Sequence, residues 1–153
     1  MNVEVRVQTQ DFSLDDEWAA CRGRTAGQAG AIVAFGGLVR EFSQHDSVQA
    51  LLLEHYPGMT ETSMRAIADD AGSRWPLLDV AIVHRVGELH AADQIVLVIV
   101  ASTHRTTAFA ACEFIMDYLK TRAIFWKKER NSDGETWIRS TADDQARARN
   151  YDP

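Results

Sequence analysis

Gln94-Ile95-Val96-Leu97-Val98-Ile99-Val100-Ala101, followed at once by Ser102-Thr103-His104-Arg105-Thr106-Thr107, decides how this chain folds. The first eight residues are nearly all β-branched or Leu, the composition of a buried strand. Beyond the His-Arg pair, Ala108, Phe109, Cys112, Ile115, Met116 and Leu119 recur at helical spacing and make one apolar face. A strand therefore runs directly into a helix start, with hydroxyls and two basic groups at the turn. The first amides of a helix are unpaired and its dipole is positive there, so the turn suits an anion. Lys120 and Arg122 lie several turns further along, at about 1.5 Å per residue. They share the turn's site only if another element brings it near.

Working outward, Asp79 to Glu88 reads as a strand with His84 and Arg85 near its end, and Gly87 and Ala91-Ala92-Asp93 turn it back as a hairpin. Val48 to His55 reads as a strand stopped by Tyr56-Pro57-Gly58. Met64, Ile67, Ala68, Ala71 and Trp75 then form one face of a helix. Asn2 to Thr9 alternates as a short strand, and Ser13 with Asp16 resembles a capped helix start leading into Trp18 to Cys21. Gly23 to Gly30 is a loop. Ala31 to Phe35 is a strand that continues through Gly36-Gly37 into Leu38-Val39-Arg40, where the glycine pair allows a bulge, a bend or a close approach by a ligand. No Gly-Lys-Ser or Gly-Lys-Thr follows, so it is not a P-loop. Glu41 to Ser47 reads as a polar, mobile loop. Asn131-Ser132-Asp133-Gly134 is a turn that pairs Ile124 to Glu129 with Glu135 to Arg139. The charged tail, residues 141–153, reads as a short helix or a disordered, mobile end.

These elements indicate an α+β fold: a mixed or antiparallel sheet, two main helices packed on it, and a C-terminal β-hairpin. The 153 residues read as a single domain with room for a core. No stretch approaches the roughly 18 apolar residues of a membrane span, and the N-terminus lacks a signal-peptide layout. A cytoplasmic location is the expectation. Net charge is −6, which argues against nucleic acid or an anionic membrane as partner. The distribution is uneven. Residues 118–130 carry five basic groups against Glu129, a net +4, which leaves −10 on the other 140. A basic island on an acidic protein fits a small anion, or else a solvated face.

Cys21 and Cys112 have no metal-ligand spacing, and Cys112 belongs to the apolar helix face as a small core residue. Nor do His45, His55, His84 and His90 show such spacing, so no metal is expected. Lys120 follows an apolar helix face and Lys127 follows Phe125-Trp126. Desolvation and a neighbouring cation both lower a lysine's pKa and suit it to act as a base or nucleophile; a lysine that buries only its stem stays an ordinary surface cation. His104 beside Arg105 can polarise a substrate and clamp a phosphate, although a surface or capping role fits the pair equally.

At this point three blocks carry a resemblance. Leu53-Glu54-His55-Tyr56-Pro57-Gly58-Met59-Thr60-Glu61, Ile82-Val83-His84-Arg85-Val86-Gly87-Glu88-Leu89 and Phe114 to Ala123 with Phe125-Trp126-Lys127-Lys128-Glu129 closely resemble the large, catalytic subunit of molybdopterin synthase, in order, over roughly residues 3 to 140. The resemblance implies an α/β-hammerhead-like fold and a sulfurtransferase of molybdenum cofactor biosynthesis. Its substrate would be cyclic pyranopterin monophosphate, which receives two sulfurs to form a dithiolene. The sulfur would arrive as a thiocarboxylate on the C-terminal Gly-Gly of a small ubiquitin-like subunit, and two large subunits would form a homodimer within a heterotetramer. No cofactor is implied, and no cysteine is needed.

Residue by residue, the matching positions are Arg40, His104, Arg105, Lys120, Lys127, Lys128 and Glu129, with the Leu38-Val39 backbone beside Arg40 lining the same pocket. Lys120 and Lys127 are assigned to catalysis, as stabilisers of an oxyanion or as proton carriers. Arg40, His104 and Arg105 would grip the phosphate. Two positions depart from the family's pattern. Ile124 stands where a proline is common, which should loosen the approach to Lys127, and Gly37 stands where a larger residue is frequent, which should widen the strand around Arg40. A reading of a different class is a non-catalytic phosphate or nucleotide-binding module that docks a ubiquitin-like protein.

Overall fold

The computed structural model describes residues 1–41, 49–132, 134–138 and 141–152. The chain order is β1 (Asn2–Gln8), α1 (Leu14–Arg24), β2 (Ala31–Leu38), β3 (Ala50–His55), α2 (Met59–Arg74), β4 (Leu77–Arg85), β5 (Gly87–Leu89), β6 (Gln94–Ser102), α3 (Arg105–Arg122), β7 (Phe125–Asn131), β8 (Gly134–Ile138) and α4 (Ala142–Arg149). The fold is α+β, as expected. It has two four-stranded sheets rather than one, in the orders β1-β4-β6-β2 and β5-β3-β7-β8.

β6 is central to the first sheet, between β4 and β2, and antiparallel to both. Its alternating side chains feed two cores, which is why its sequence shows no polar face. Val96, Val98 and Val100, with Val80 and Ile82 of β4, pack under α2 and α3 against Met64, Phe114, Ile115 and Tyr118. Leu97, Ile99 and Ala101, with Ala81 and Val83, pack on the opposite face against Phe12 and Cys21 of the α1 region. β1 joins the edge in parallel with β4, Val5 opposite Ile82. Ser13 caps α1 by accepting the Asp16 N–H at 3.2 Å, as its spacing predicts.

The expected strand from Asp79 to Glu88 is divided. Gly87 has φ +94°, a left-handed conformation that side chains rarely adopt, and there the chain leaves the first sheet and enters the second as β5. β4 still pairs antiparallel with β6, but across an excursion rather than a tight hairpin. The C-terminal hairpin forms as expected, with Lys127 opposite Ile138 and Asn131 opposite Gly134. Asp133 of its turn, Arg139 at its far end and Phe42 to Ser47 of the polar loop lie outside the described residues.

The charged tail takes the helical form. Thr141 caps α4, Ala148 is buried, and Arg147 and Tyr151 reach Asp117 of α3. A buried ion pair fixes the other side of the molecule: Asp79, 0% exposed, receives Arg24 Nε at 2.7 Å and Nη2 at 3.0 Å, and Asn2 Nδ2 at 2.9 Å.

Candidate active site

Lys127 is the residue from which the site is built. On a strand, alternate side chains share a face, so Phe125, Lys127 and Glu129 point one way and Trp126, Lys128 and Arg130 the other. Phe125 stacks on His84 of β4, centroids 3.9 Å apart at 25°. That contact turns the Lys127 face inward, toward the seam between the sheets. Burial, with the neighbouring charge of Lys120, lowers the Lys127 amine to about 8, while Asp144 opposes the shift.

Lys120 stands in the last turn of α3. Its charge acts on both Lys127 and His84, so α3 and β7 bring the two lysines together within one chain. The link between them is short. Ile124 forms it, and the expected loosening there is opposed by two bonds: Thr60 Oγ1 donates to the Ile124 carbonyl at 2.6 Å, and the Ile124 N–H, which a proline would lack, donates to Ser63 Oγ at 3.4 Å.

His84 is buried, with Nδ1 2.8 Å from the Arg85 carbonyl. A carbonyl only accepts, so Nδ1 carries the proton and Nε2 the lone pair. Burial, aided by the charges of Lys127, Lys120 and His55, pushes its pKa down to about 3, and the ring is neutral throughout the working range of pH.

Beside Lys120 lies a cavity of about 440 Å³. Val33, Phe35, Phe109 and Met116 are among its apolar lining, and its polar lining includes Lys120, Glu113 and Asp117 of α3 and Asp144 and Arg147 of α4. Of these only Lys120 belonged to the site read from the sequence. Phe109 and Met116 fell on a helix face read as core, and Asp144 in a tail without an apolar stripe.

The remaining candidates divide. Lys128 is on the opposite face of β7, with its ammonium 4.3 Å from the centroid of the Trp137 ring and 3.7 Å from Glu135. It is not brought to Lys120 and Lys127. Glu129 shares the Lys127 face, further along the strand. Leu38 is exposed, whereas Val39 is buried with Leu53 and Leu89, its backbone bonded to Ala92 and Asp93. Arg40 follows, exposed. α3 returns antiparallel to β6 and so runs with β2; Arg40 therefore lies toward the Lys120 end of the layer. His104 and Arg105 sit exposed at the other end of α3, about 22 Å away at 1.5 Å per residue.

Gly37 is set by packing. A Cβ there would come 2.7 Å from Val96 Cγ1, next to the register shift between Gly37 and Leu38, so its absence lets β2 lie close to β6 rather than widening the strand. Both cysteines are buried, and burial first of all raises each thiol to about 12, so neither is a ready thiolate. Among the described residues no group of His, Cys, Asp and Glu could hold a metal ion, and no helix is long and apolar enough to cross a membrane.

Known proteins are similar to this chain in sequence and in fold. The family model described as MoaE protein matches residues 7–122. The molybdopterin synthase catalytic subunit of Vibrio cholerae is 51% identical over 152 residues, covering 99% of this chain and all of the relative. Among solved structures, the molybdopterin biosynthesis MoaE protein of Burkholderia ambifaria superposes with a TM-score of 0.83 at 53% identity, covering 97% of each chain. Molybdopterin synthase from Staphylococcus aureus gives a TM-score of 0.77 at 32% identity, covering 86% of this chain and 94% of the other. The chain belongs to the MoaE family, whose matching relatives are named as the catalytic subunit of molybdopterin synthase.

Proposed function

We propose that this protein is the large subunit of a molybdopterin synthase, working in the cytoplasm, and that it moves sulfur from the C-terminal thiocarboxylate of a small ubiquitin-like partner to cyclic pyranopterin monophosphate. The observation that carries the reading is a partly buried lysine, Lys127, that titrates at about 8 beside a second lysine. In each transfer the sulfur bonds to a substrate carbon as that carbon's bond to an oxygen breaks, the oxygen taking up a proton as it leaves, and water then adds to the glycine carbonyl carbon. The old C–S bond then breaks, leaving the glycine as a carboxylate and the sulfur on the pterin. An oxyanion forms on that carbonyl when water adds. Lys127, charged at neutral pH, stabilises it in a partly dry site where such contacts count most. Lys120 supports the same charge from α3. Neither cysteine takes part, because the partner carries the sulfur.

The phosphate needs cations that one chain holds apart. A second copy supplies them. β2 is an edge strand of the first sheet with no charged residue; Phe35 is 40% and Leu38 56% exposed, and Phe109 of α3 is 62% exposed beside them. Such an edge is a template for a partner strand. Antiparallel pairing of two β2 strands about a two-fold axis sets the α3 helices antiparallel. His104 and Arg105 of the second copy then approach Lys120 and Arg40 of the first, with the unpaired amides of a helix start facing the phosphate. The two small partner subunits complete a heterotetramer.

The deciding experiment is reconstitution. The purified chain, the thiocarboxylated partner and cyclic pyranopterin monophosphate should together yield the dithiolene product. Binding of both without product would overturn the enzymatic reading in favour of a docking module.

A further inference from the structure

One wall of the cavity beside Lys120 comes from α4, a helix to which the reaction above gives no task. It is firmly attached. Arg147 Nε donates to Asp117 Oδ1 at 3.0 Å, the Tyr151 hydroxyl donates to Asp117 Oδ2 at 3.1 Å, and Tyr151 meets Phe114 edge-on with centroids 4.8 Å apart. Thr141 Oγ1 accepts the Asp144 N–H at 3.1 Å. The cap thus uses only the backbone of Asp144, whose side chain lines the same cavity as Lys120.

The charges that act on Lys127 are those of Lys120 of α3 and Asp144 of α4; His84 of β4 feels Lys127, Lys120 and His55 of β3, and Glu129 shares the Lys127 face further along β7. His84 is neutral. Arg147, Asp117 and Glu113 at the cavity rim are engaged with one another. Asp144 is the carboxylate whose charge opposes that of Lys120 at Lys127.

We propose that Asp144 is a positioning residue of the lysine centre, its carboxylate balancing the Lys120–Lys127 pair so that Lys127 keeps its proton at neutral pH. Two ammonium groups held close in a partly desolvated seam repel, and the repulsion is relieved most cheaply by losing the Lys127 proton. A carboxylate across the cavity removes part of that pressure. The C-terminal helix would therefore be a working part of the site, placing one charge, and not only a packing element. The idea rests on Lys127 being part of the reacting centre.

The test reads Lys127 directly. In the full chain with 13Cε-labelled lysine, without partner or substrate, the Lys127 resonance, assigned through Lys127→Arg, is followed against pH. Asp144→Asn should move its midpoint down by roughly half a unit of pH or more, and Asp144→Glu should restore most of it. The Tyr151 ring resonances report that α4 is still docked. Should the amide loosen the helix, Asp144→Ser is the second variant, and an undocked helix removes the carboxylate just as well. A midpoint that stays put in these variants overturns the proposal. The alkaline limb of kcat separates this idea from the function itself: a midpoint that moves while the limb does not would leave the Asp144 coupling standing and remove Lys127 from turnover.

Discussion

His84 lies face to face with Phe125, ring centroids 3.9 Å apart, and through that stack the first sheet fixes the strand that carries Lys127. The imidazole is held neutral by burial and by the cations around it. In the unfolded chain it would titrate near its ordinary 6.5. The unfolded state thus binds the extra proton first, and stability is lost as pH falls from 6.5 toward about 3. One proton contributes a slope of up to about 1.4 kcal/mol per unit of pH. Urea unfolding at a series of acidic pH values should show His84→Gln losing that component of the slope; an unchanged slope would mean that His84 is not the acid-sensitive group.

The buried pair of Arg24 and Asp79 makes a separate prediction. Arg24→Ala strands a fully buried carboxylate with Asn2 and the Cys21 thiol as side-chain donors, and should cost about 3–5 kcal/mol. Arg24→Ala with Asp79→Asn should recover a good part of this, because the charge goes with its partner. Chemical denaturation of the double variant checks it. Equal losses in both would show that packing, not charge, sets the cost.

A Cys21→Ser, Cys112→Ser double variant should keep its sulfur-transfer rate. Both thiols are buried and hold their protons to about pH 12, and Cys21 has a side-chain hydrogen bond with Asp79 that serine can reproduce. Stability should fall by about 1 kcal/mol per site for the buried hydroxyl. A folded double variant without turnover would implicate a protein thiol.

Phe35→Asp places a charge in the middle of the apolar β2 edge and should shift the protein from dimer to monomer in sedimentation velocity. An intact dimer would exclude β2 as the interface.

Much of this fold is written in its periodicities. The unbroken apolar run of β6 and most of the helical face of α3 needed no tertiary information, because β6 is buried from Val96 onward and Ala108, Cys112, Ile115 and Leu119 are buried; Phe109, on the same helix face, is exposed. The division into two sheets was not readable. It turns on the positive φ of Gly87 and on β5, a strand of three residues. For the site, alternation along β7 does set Lys127 apart from Lys128, and their order in the chain puts Lys120 close before Lys127. Asp144 left no signal, since α4 is polar nearly all round and is held by Arg147, Ala148 and Tyr151 rather than by an apolar stripe. The distance from Lys120 to Arg105 follows from helix geometry alone.

The central claim is that Lys120 and Lys127 together stabilise the oxyanion that forms on the glycine carbonyl during sulfur transfer, with Lys127 charged. Its most direct test is the single-turnover rate of dithiolene formation against pH, in the unaltered protein and in Lys127→Ala. The unaltered protein should lose activity as pH rises through about 8, as Lys127 gives up its proton. Lys127→Ala should be slower by roughly 10²–10³ at neutral pH and lack that limb, with partner affinity retained. A Lys127→Ala protein that turns over at the normal rate, or that keeps the limb near 8, would contradict the account.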